Sequence, residues 1–571
     1  MTLLYTTLDS FHSAAAATAG KLGAKVLLVE KNRLGGDCTW SGCVPSKALI
    51  HCAREAKILR DSAAGSSFAS VSGTVSIDMA AVRNKVLGVV QEIYEEETPE
   101  VFAAKGVDVV LGTAEFLDAN SVLVQPKEGG AARSITATSF VVATGAVPRV
   151  PRGVQGIEDV PYFTYESIFH NARLPRKLVV LGGGPIGCEL AQAYAFLGAD
   201  VTIVARNLLG KETRNAREVM EVVFRESGIT HAAARPASIS CTHNSDWAAK
   251  GAATTGSSAS PHDANVLTPA EAFAFNRVEP EYTITLKDGT VLTADMLLVS
   301  VGRAPIVAPL NLPAAGVELK YGEAGSDGVK PIIAVPVDSG LRTNVKHIYV
   351  SGDANGGPQF THLAGKQGFV GARNSLFPGS FPGHTNAMPR ATFTTPEVAS
   401  VGLTLEEAEQ KHGEELRVTR RENKHIDRSI CDDDRHGFVE MYCKRDGSVV
   451  GATCVGSRAG EQIGLFITAM THNLKAADLA GVMTAYPTHL IGVQQVASTA
   501  ASSLFLETKL GKFVNGLYGK GPHPGAEPGT GHVQAGRFMV PGAASPAQRQ
   551  GSAVGFVDPP QAGAAASESK K

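Results

Sequence analysis

The sequence predicts an α/β fold in which two parallel-sheet units of one design precede a C-terminal α+β domain, and three observations carry that expectation. SAAAATAGKLGAKVLLVEK (13–31) and LVVLGGGPIGCELAQAYAFLGADVTIVAR (178–206) share one grammar of apolar strand, turn, Ala-rich helix, glycine and second apolar strand, the pattern of a βαβ unit. Each half has a downstream strand ending in glycine, SFVVATGAVP (139–148) and MLLVSVGRAP (296–305), with KHIYVSGDA (346–354) following later. From Met388 the texture changes to MPRATFTTPEVASVGL, then to mixed strands (GFVEMYCKRDGSVVGATCVGS, 437–457) and helices (GEQIGLFITAMTHN, 460–473).

These segments divide the chain into a first unit (1–165 and 306–387), a second (166–305), a C-terminal domain (388–510) and a tail (511–571). The low-complexity stretch 230–265 and the Gly/Pro/Ala-rich tail offer little apolar surface to bury, so both are expected to be disordered or loosely attached.

Composition narrows the function. With 571 residues, 43% hydrophobic and 19% charged, the chain has the make-up of an ordinary globular protein of several domains. Its 53 basic and 55 acidic residues leave a net charge of −2, which gives no field for nucleic acid. Eight cysteines, at 38, 43, 52, 188, 241, 431, 443 and 454, are too sparse for a disulfide scaffold and show no repeated metal-ligand spacing. A reducing compartment is expected, cytoplasmic or organellar, and no metal site. The N-terminal MTLLYTTLDSFHSAAAA lacks the cationic region of a secretory signal. The apolar run from Leu178 is interrupted by Glu189, Gln192 and several glycines, so it reads as a buried strand, turn and helix rather than a membrane span.

Two motifs carry chemistry. GGGPIG follows an apolar strand and opens a helix, the context a dinucleotide fingerprint requires. Gly182 permits the tight turn, Gly184 the approach of a pyrophosphate and Gly187 the helix–strand contact. The strand after that helix ends in Ala205-Arg206, with no carboxylate to repel a 2′-phosphate, so NADPH is expected over NADH. The second motif is GGDCTWSGCVPSK, with Cys38 and Cys43 close together. A staple across so short a gap removes little chain entropy, and a lone pair with no second ligand pair is a poor zinc site. A redox pair is the third reading. Val44-Pro45-Ser46 suits a first helical turn, which would put Cys43 at a helix N-terminus and lower its thiol pKa, with Lys47 one turn on adding positive charge.

GGDCTWSGCVPSK, VVATG, GGGPIGCELA, LLVSVGRAP, IYVSGDA and PRATFTTPEVASVGLT, in this order, resemble the pyridine nucleotide–disulfide oxidoreductases: lipoamide dehydrogenase, glutathione reductase and mercuric reductase. The resemblance runs from about Ala14 to about Leu506 and implies a homodimer with two Rossmann-like dinucleotide-binding domains, for FAD and NAD(P), plus a dimerisation domain. It implies that electrons pass from NAD(P)H through FAD to a Cys38–Cys43 disulfide and on to a thiol, disulfide, metal or quinone acceptor. Cys43 would be the flavin-proximal thiol and Cys38 the exchanging one. Lys47 and Glu189 match a pair beside the flavin, Glu30 the carboxylate on the FAD ribose, and Asp353 the residue on the ribityl chain. Gly35, Gly36, Ala114, Thr144 and Gly145 fall in the FAD motifs. Gly302 falls with Gly182, Gly184, Gly187 and Arg206 in the NAD(P) set, and Arg206 aligns with an arginine that glutathione reductase uses for the 2′-phosphate.

The chain departs from the family twice. The FAD fingerprint glycines should fall at positions 7, 9 and 12, where it has Thr7, Asp9 and His12, residues whose β-carbons obstruct the phosphate turn. Since everything from Ala14 fits, a mis-assembled or truncated N-terminus is the expected explanation; authentic residues there would favour a flavin-free binding protein. The acid–base motif His-Pro-Thr with a following Glu reads AYPTHLIGV here, with Tyr486 and Ile491 in the His and Glu positions. His489 nearby is expected to be a packed residue. Tyr486 points to the mercuric-reductase-like branch and against dihydrolipoamide dehydrogenase, although no cysteine follows Cys454 to supply that branch's C-terminal pair.

Overall fold

The computed structural model describes residues 2–7, 10–65, 71–242, 280–324 and 330–518, together with 268, 271, 272 and 328. The first βαβ unit builds a seven-stranded sheet. Strand Thr2–Thr7 lies parallel between Lys25–Glu30 and Ser139–Ala143, and Val107–Phe116 and Ile348–Val350 extend the parallel run on either side. Strands Ser121–Pro126 and Arg133–Thr136 add an antiparallel edge. Ser139–Ala143 is buried along its whole length, as a central parallel strand covered on both faces must be. Helix Ser10–Lys21 packs so closely that a β-carbon on Gly20 would meet the Lys105 carbonyl at 2.6 Å.

The second unit is a four-stranded parallel sheet, in the order Ile229–Ala232, Asp200–Val204, Lys177–Leu181, Met296–Val299. Its helix Pro185–Leu197 starts on proline, which costs no hydrogen bond at a first turn, and stops at Gly198 in the left-handed region (φ 122°). The chain then returns to the first sheet through Ile348–Val350. The C-terminal domain is a five-stranded antiparallel sheet, Pro389–Thr392, Glu397–Gly402, Val449–Gly456, Phe438–Lys444 and Leu416–Glu422, packed on helices Ala459–His472 and Ile491–Glu507.

The structure corrects two expectations about order. Residues 230–241, the start of the stretch read as low-complexity, contribute most of strands Ile229–Ala232 and Pro236–Cys241, because Ile239 and Cys241, with Ile229 just before the stretch, insert into the core of the second unit. Residues 511–518, the start of the stretch read as a disordered tail, belong to helix Lys509–Tyr518, with the Thr508 hydroxyl accepting from the Gly511 amide at 3.0 Å. The remainder of both stretches, 243–265 and 519–571, lies outside the described residues. No described helix is long and apolar enough to cross a membrane.

Candidate functional site

The two cysteines sit on consecutive helices, Cys38 in Gly36–Trp40 and Cys43 at the first residue of Cys43–Ala63, and both are thiols. Gly42 makes this corner possible: a β-carbon there would lie 2.7 Å from the Asp37 carbonyl. The Cys43 sulfur takes a hydrogen bond from the Cys38 thiol and lies 3.7 Å from the Thr361 hydroxyl, at the start of helix Thr361–Leu376. The Cys38 hydrogen bond, then the Lys47 charge, bring the Cys43 thiol down to about 6 against the opposing effect of burial.

Lys47 follows one turn later, and its Nζ donates to Glu189 Oε2 at 2.9 Å. Glu189 comes from the second unit's helix and is buried, so the ion pair ties the two units together beside the thiols. Glu189 Oε1 accepts from the Phe393 amide at 2.8 Å, and the Phe393 ring lies 4.3 Å from the Lys47 ammonium.

Glu30 ends its strand fully buried. Its Oε1 accepts from the Asn32 amide at 2.7 Å, its Oε2 is buried without a hydrogen-bond partner, and burial pushes the carboxyl up to about 8. A buried orphan oxygen of this kind fits a ligand hydroxyl, as a ribose would supply. Gly35 caps and Gly36 opens the Cys38 helix, both at positive φ, Ala114 is buried in Val107–Phe116, and Thr144-Gly145 closes Ser139–Ala143, with the Thr144 hydroxyl donating to the Ile306 carbonyl. Gly302 follows Met296–Val299. Asp353 is buried in a single helical turn and pairs with Arg303 at 3.0 Å; Arg303 also pairs with Asp37 in the cysteine loop and lies 5.3 Å from the Tyr165 ring.

The second unit's GGGPIG turn has a geometry that requires glycine at two positions. Gly182 has φ 124°, and its β-carbon would meet the Ser300 carbonyl at 2.3 Å; that of Gly187 would meet the Gly182 carbonyl at 2.1 Å. A β-carbon on Gly184, by contrast, would meet nothing within 4 Å, so this face of the turn is open. Arg206 is exposed just past the next strand. In the first unit the matching turn carries Thr7 and His12, and position 9 lies outside the described residues. The residues present therefore fit FAD at Glu30, and the phosphate turn is the point of misfit.

Tyr486 is exposed in the C-terminal domain and donates to Asp427 Oδ2 at 2.8 Å, which raises its hydroxyl pKa further. His489 is buried, with the Ser429 hydroxyl at 3.2 Å from Nδ1 and Asp432 Oδ2 at 3.0 Å from Nε2, so both ring nitrogens are engaged in hydrogen bonds within the C-terminal domain.

Sequence reasoning missed Asp37, Arg303, Thr361 and Phe393. Three of them stand inside the motifs GGDC, SVGRAP and RATFTTPE, but their partners are distant in sequence; Thr361 carried no signal beyond opening a helix.

The family described as pyridine nucleotide-disulphide oxidoreductase matches residues 13–242 and 258–368, and its dimerisation domain matches 388–496. Mercuric reductase of Shigella flexneri is 31% identical over 494 residues, 85% of this chain and 78% of its own length. Mercuric reductase of Streptomyces lividans is 30% identical over 498 residues, 86% and 94% of the two chains. The fold is similar to that of the HOCl-induced flavoprotein disulfide reductase RclA from Escherichia coli, with TM-score 0.70 at 22% identity over 87% of this chain and 99% of that one. It is likewise similar to LpdA from Mycobacterium tuberculosis, with TM-score 0.71 at 23% identity over 87% and 99%.

Proposed function

The chain belongs to the pyridine nucleotide-disulphide oxidoreductase family, and from that premise we propose that it uses NAD(P)H and FAD to reduce a Cys38–Cys43 disulfide and passes the electrons to a thiol, disulfide, metal or quinone acceptor. The observation that carries this reading is the Cys43 sulfur, held between the Cys38 thiol, Thr361 and Lys47 with its pKa near 6.

Glu30 and Asp353 would hold FAD at its ribose and ribityl groups, with Lys47 and Glu189 beside the ring. Gly182, Gly184 and Gly187 would cradle the nucleotide phosphates, and Arg206 would select NADPH. Bound FAD supplies the hydride acceptor for NAD(P)H and the two-electron donor to the disulfide. The rest is done by side chains. Opening the S–S bond takes two electrons and one proton and leaves a Cys38 thiol and a Cys43 thiolate, which Lys47 stabilises while Glu189 fixes its ammonium. With a disulfide acceptor, Cys38 gives up its proton and attacks one sulfur, expelling the other as a thiol once protonated. The Cys43 thiolate then attacks Cys38 in the mixed disulfide, re-forming the S–S bond and releasing the second sulfur as a thiolate that takes its proton from water. Tyr486 would stand on the acceptor side as a phenol. Its raised pKa makes it no general base at neutral pH, so dihydrolipoamide turnover is expected to be poor. The enzyme would act as a homodimer.

Anaerobic NADPH added to FAD-loaded protein should expose two further thiols per chain to iodoacetamide, at Cys38 and Cys43. No gain in labelling at either position overturns the proposal. The second reading, a flavin-free binding protein, rests on Thr7, Asp9 and His12. A purified protein without a visible flavin band that also takes up no added FAD would favour it.

A further inference from the structure

Phe393, Thr394 and Thr395 belong to the C-terminal domain, yet they dock between the two helices that carry the candidate site. On the cysteine helix, Lys47 and Arg54 lie two turns apart, on one face. Arg54 Nη2 donates to the Thr394 carbonyl at 3.1 Å, and its Nε donates to the Thr395 hydroxyl at 2.9 Å. On the helix of the second unit, Glu189 and Gln192 lie one turn apart. Glu189 accepts from the Phe393 amide at 2.8 Å, while Gln192 Oε1 accepts from the Thr395 amide at 2.6 Å and its Nε2 donates to the Thr395 carbonyl at 2.8 Å. The Phe393 ring meanwhile presents its π system to the Lys47 ammonium at 4.3 Å.

We propose that this three-residue strap positions the charge that activates Cys43, with Phe393 as the positioning residue: its amide orients Glu189, its ring holds Lys47, and Lys47 thereby stays turned toward the sulfur. The inference rests on the proposed role of Cys43 as a thiolate and adds a requirement for the C-terminal domain of the same chain. The groups facing Cys43 come from four helices: Cys38 from the preceding one, Lys47 from its own, Glu189 from the second unit and Thr361 from the helix it opens. Of these, only Lys47 brings a positive charge, and it is partly exposed, so without the strap it swings toward solvent.

The test is the pH dependence of Cys43 alkylation by iodoacetamide in the full-length Cys38→Ser protein, read by peptide mass so that other cysteines do not contribute. The parent midpoint is expected between the value of about 6 that the Cys38 thiol helps to set and the ordinary thiol range, because the Lys47 charge remains when the Cys38 thiol is removed. Phe393→Leu should move the midpoint up by roughly half to one pH unit, about three- to tenfold slower alkylation below it. Phe393→Tyr, which keeps the ring, should hold the parent midpoint. An unmoved midpoint in Phe393→Leu, or an equal shift in Phe393→Tyr, overturns the proposal. Should Phe393→Leu fail to fold, Gln192→Met, which releases Thr395, must shift the midpoint in the same direction, and no shift there overturns it. A Cys43 midpoint in the ordinary thiol range, about 8.5, in the reduced wild-type protein, where the Cys38 thiol is present, overturns instead the thiolate reading on which the proposal stands.

Discussion

The two βαβ units of this chain have the same topology and opposite endings. In each, the first strand lies between the second and a later strand, all parallel: Thr2–Thr7 between Lys25–Glu30 and Ser139–Ala143, and Lys177–Leu181 between Asp200–Val204 and Met296–Val299. The second unit turns from strand to helix through GGGPIG, while the first has no glycine between Met1 and Ser13. At the end of the second strand the contrast runs on: Glu30 is buried with an orphan oxygen, whereas Ala205-Arg206 ends in an exposed cation. The sheet is held by apolar strands and close helix packing, neither of which depends on a glycine at the strand-to-helix turn.

Glu30 offers the largest test of this contrast. Burial raises its pKa from the ordinary 4.5 to about 8, so the fold prefers the protonated acid. That stability is fully present below about pH 4.5 and is lost as pH rises to 8, a difference on the order of 3–5 kcal/mol. Melting temperature should therefore fall across that window in wild-type apoprotein, and Glu30→Gln should remove the fall. Identical pH profiles for the two proteins would mean that Glu30 is not buried as an acid. Loading FAD should flatten the wild-type profile, because a ribose hydroxyl satisfies the ionised oxygen.

The glycines of the second unit give the next largest effect and separate turn from ligand. Gly187→Val forces a side chain against the Gly182 carbonyl, 2.1 Å from where its β-carbon would stand, and should cost about 3 kcal/mol by thermal or urea unfolding. Gly184→Ala meets nothing within 4 Å, so stability should change by less than about 0.5 kcal/mol while NADPH binding weakens. If both variants lose stability equally, Gly184 is a structural glycine and the open face is not a ligand face.

What could be read from the sequence follows the range of the interactions. Strand and helix periodicity made both units and the change of texture at Met388 legible, since each is a local pattern. Strands 229–241 were hidden because Ile229, Ile239 and Cys241 are sparse among Ala, Ser and Thr, and only the core of the second unit shows why they are buried. The site divides the same way. The Cys38–Cys43 corner is local, but Lys47 and Glu189 are 142 residues apart and were paired only through the family resemblance. Arg303–Asp37, 266 apart, and Phe393–Glu189, 204 apart, carried no signal of pairing, because nothing in either segment names its partner.

The smallest effect is the one that sharpens the contrast of strand endings at the level of the cofactor. Where the first unit ends its strand in Glu30, suited to a ribose hydroxyl, the second ends in Arg206, an exposed guanidinium that forms no hydrogen bond or ion pair with the described residues. Such a group pays no cost in broken contacts when a 2′-phosphate arrives, and its planar fork matches two phosphate oxygens. Lys211, exposed in the following loop, adds charge at longer range. A charged hydrogen bond contributes roughly 1.5–3 kcal/mol, so Arg206→Ala should lower kcat/KM for NADPH by about ten- to a hundredfold and leave NADH nearly unchanged. Ala205→Glu should act in the same direction by repelling the phosphate, and should in addition favour NADH by offering its ribose a carboxylate. Added salt should weaken NADPH more than NADH in wild type but not in Arg206→Ala, since the exposed pair is screened. Equal losses for both nucleotides in Arg206→Ala, or a wild-type preference for NADH, would place the selectivity elsewhere in the second unit and leave the two strand ends alike in the one respect that distinguishes their ligands.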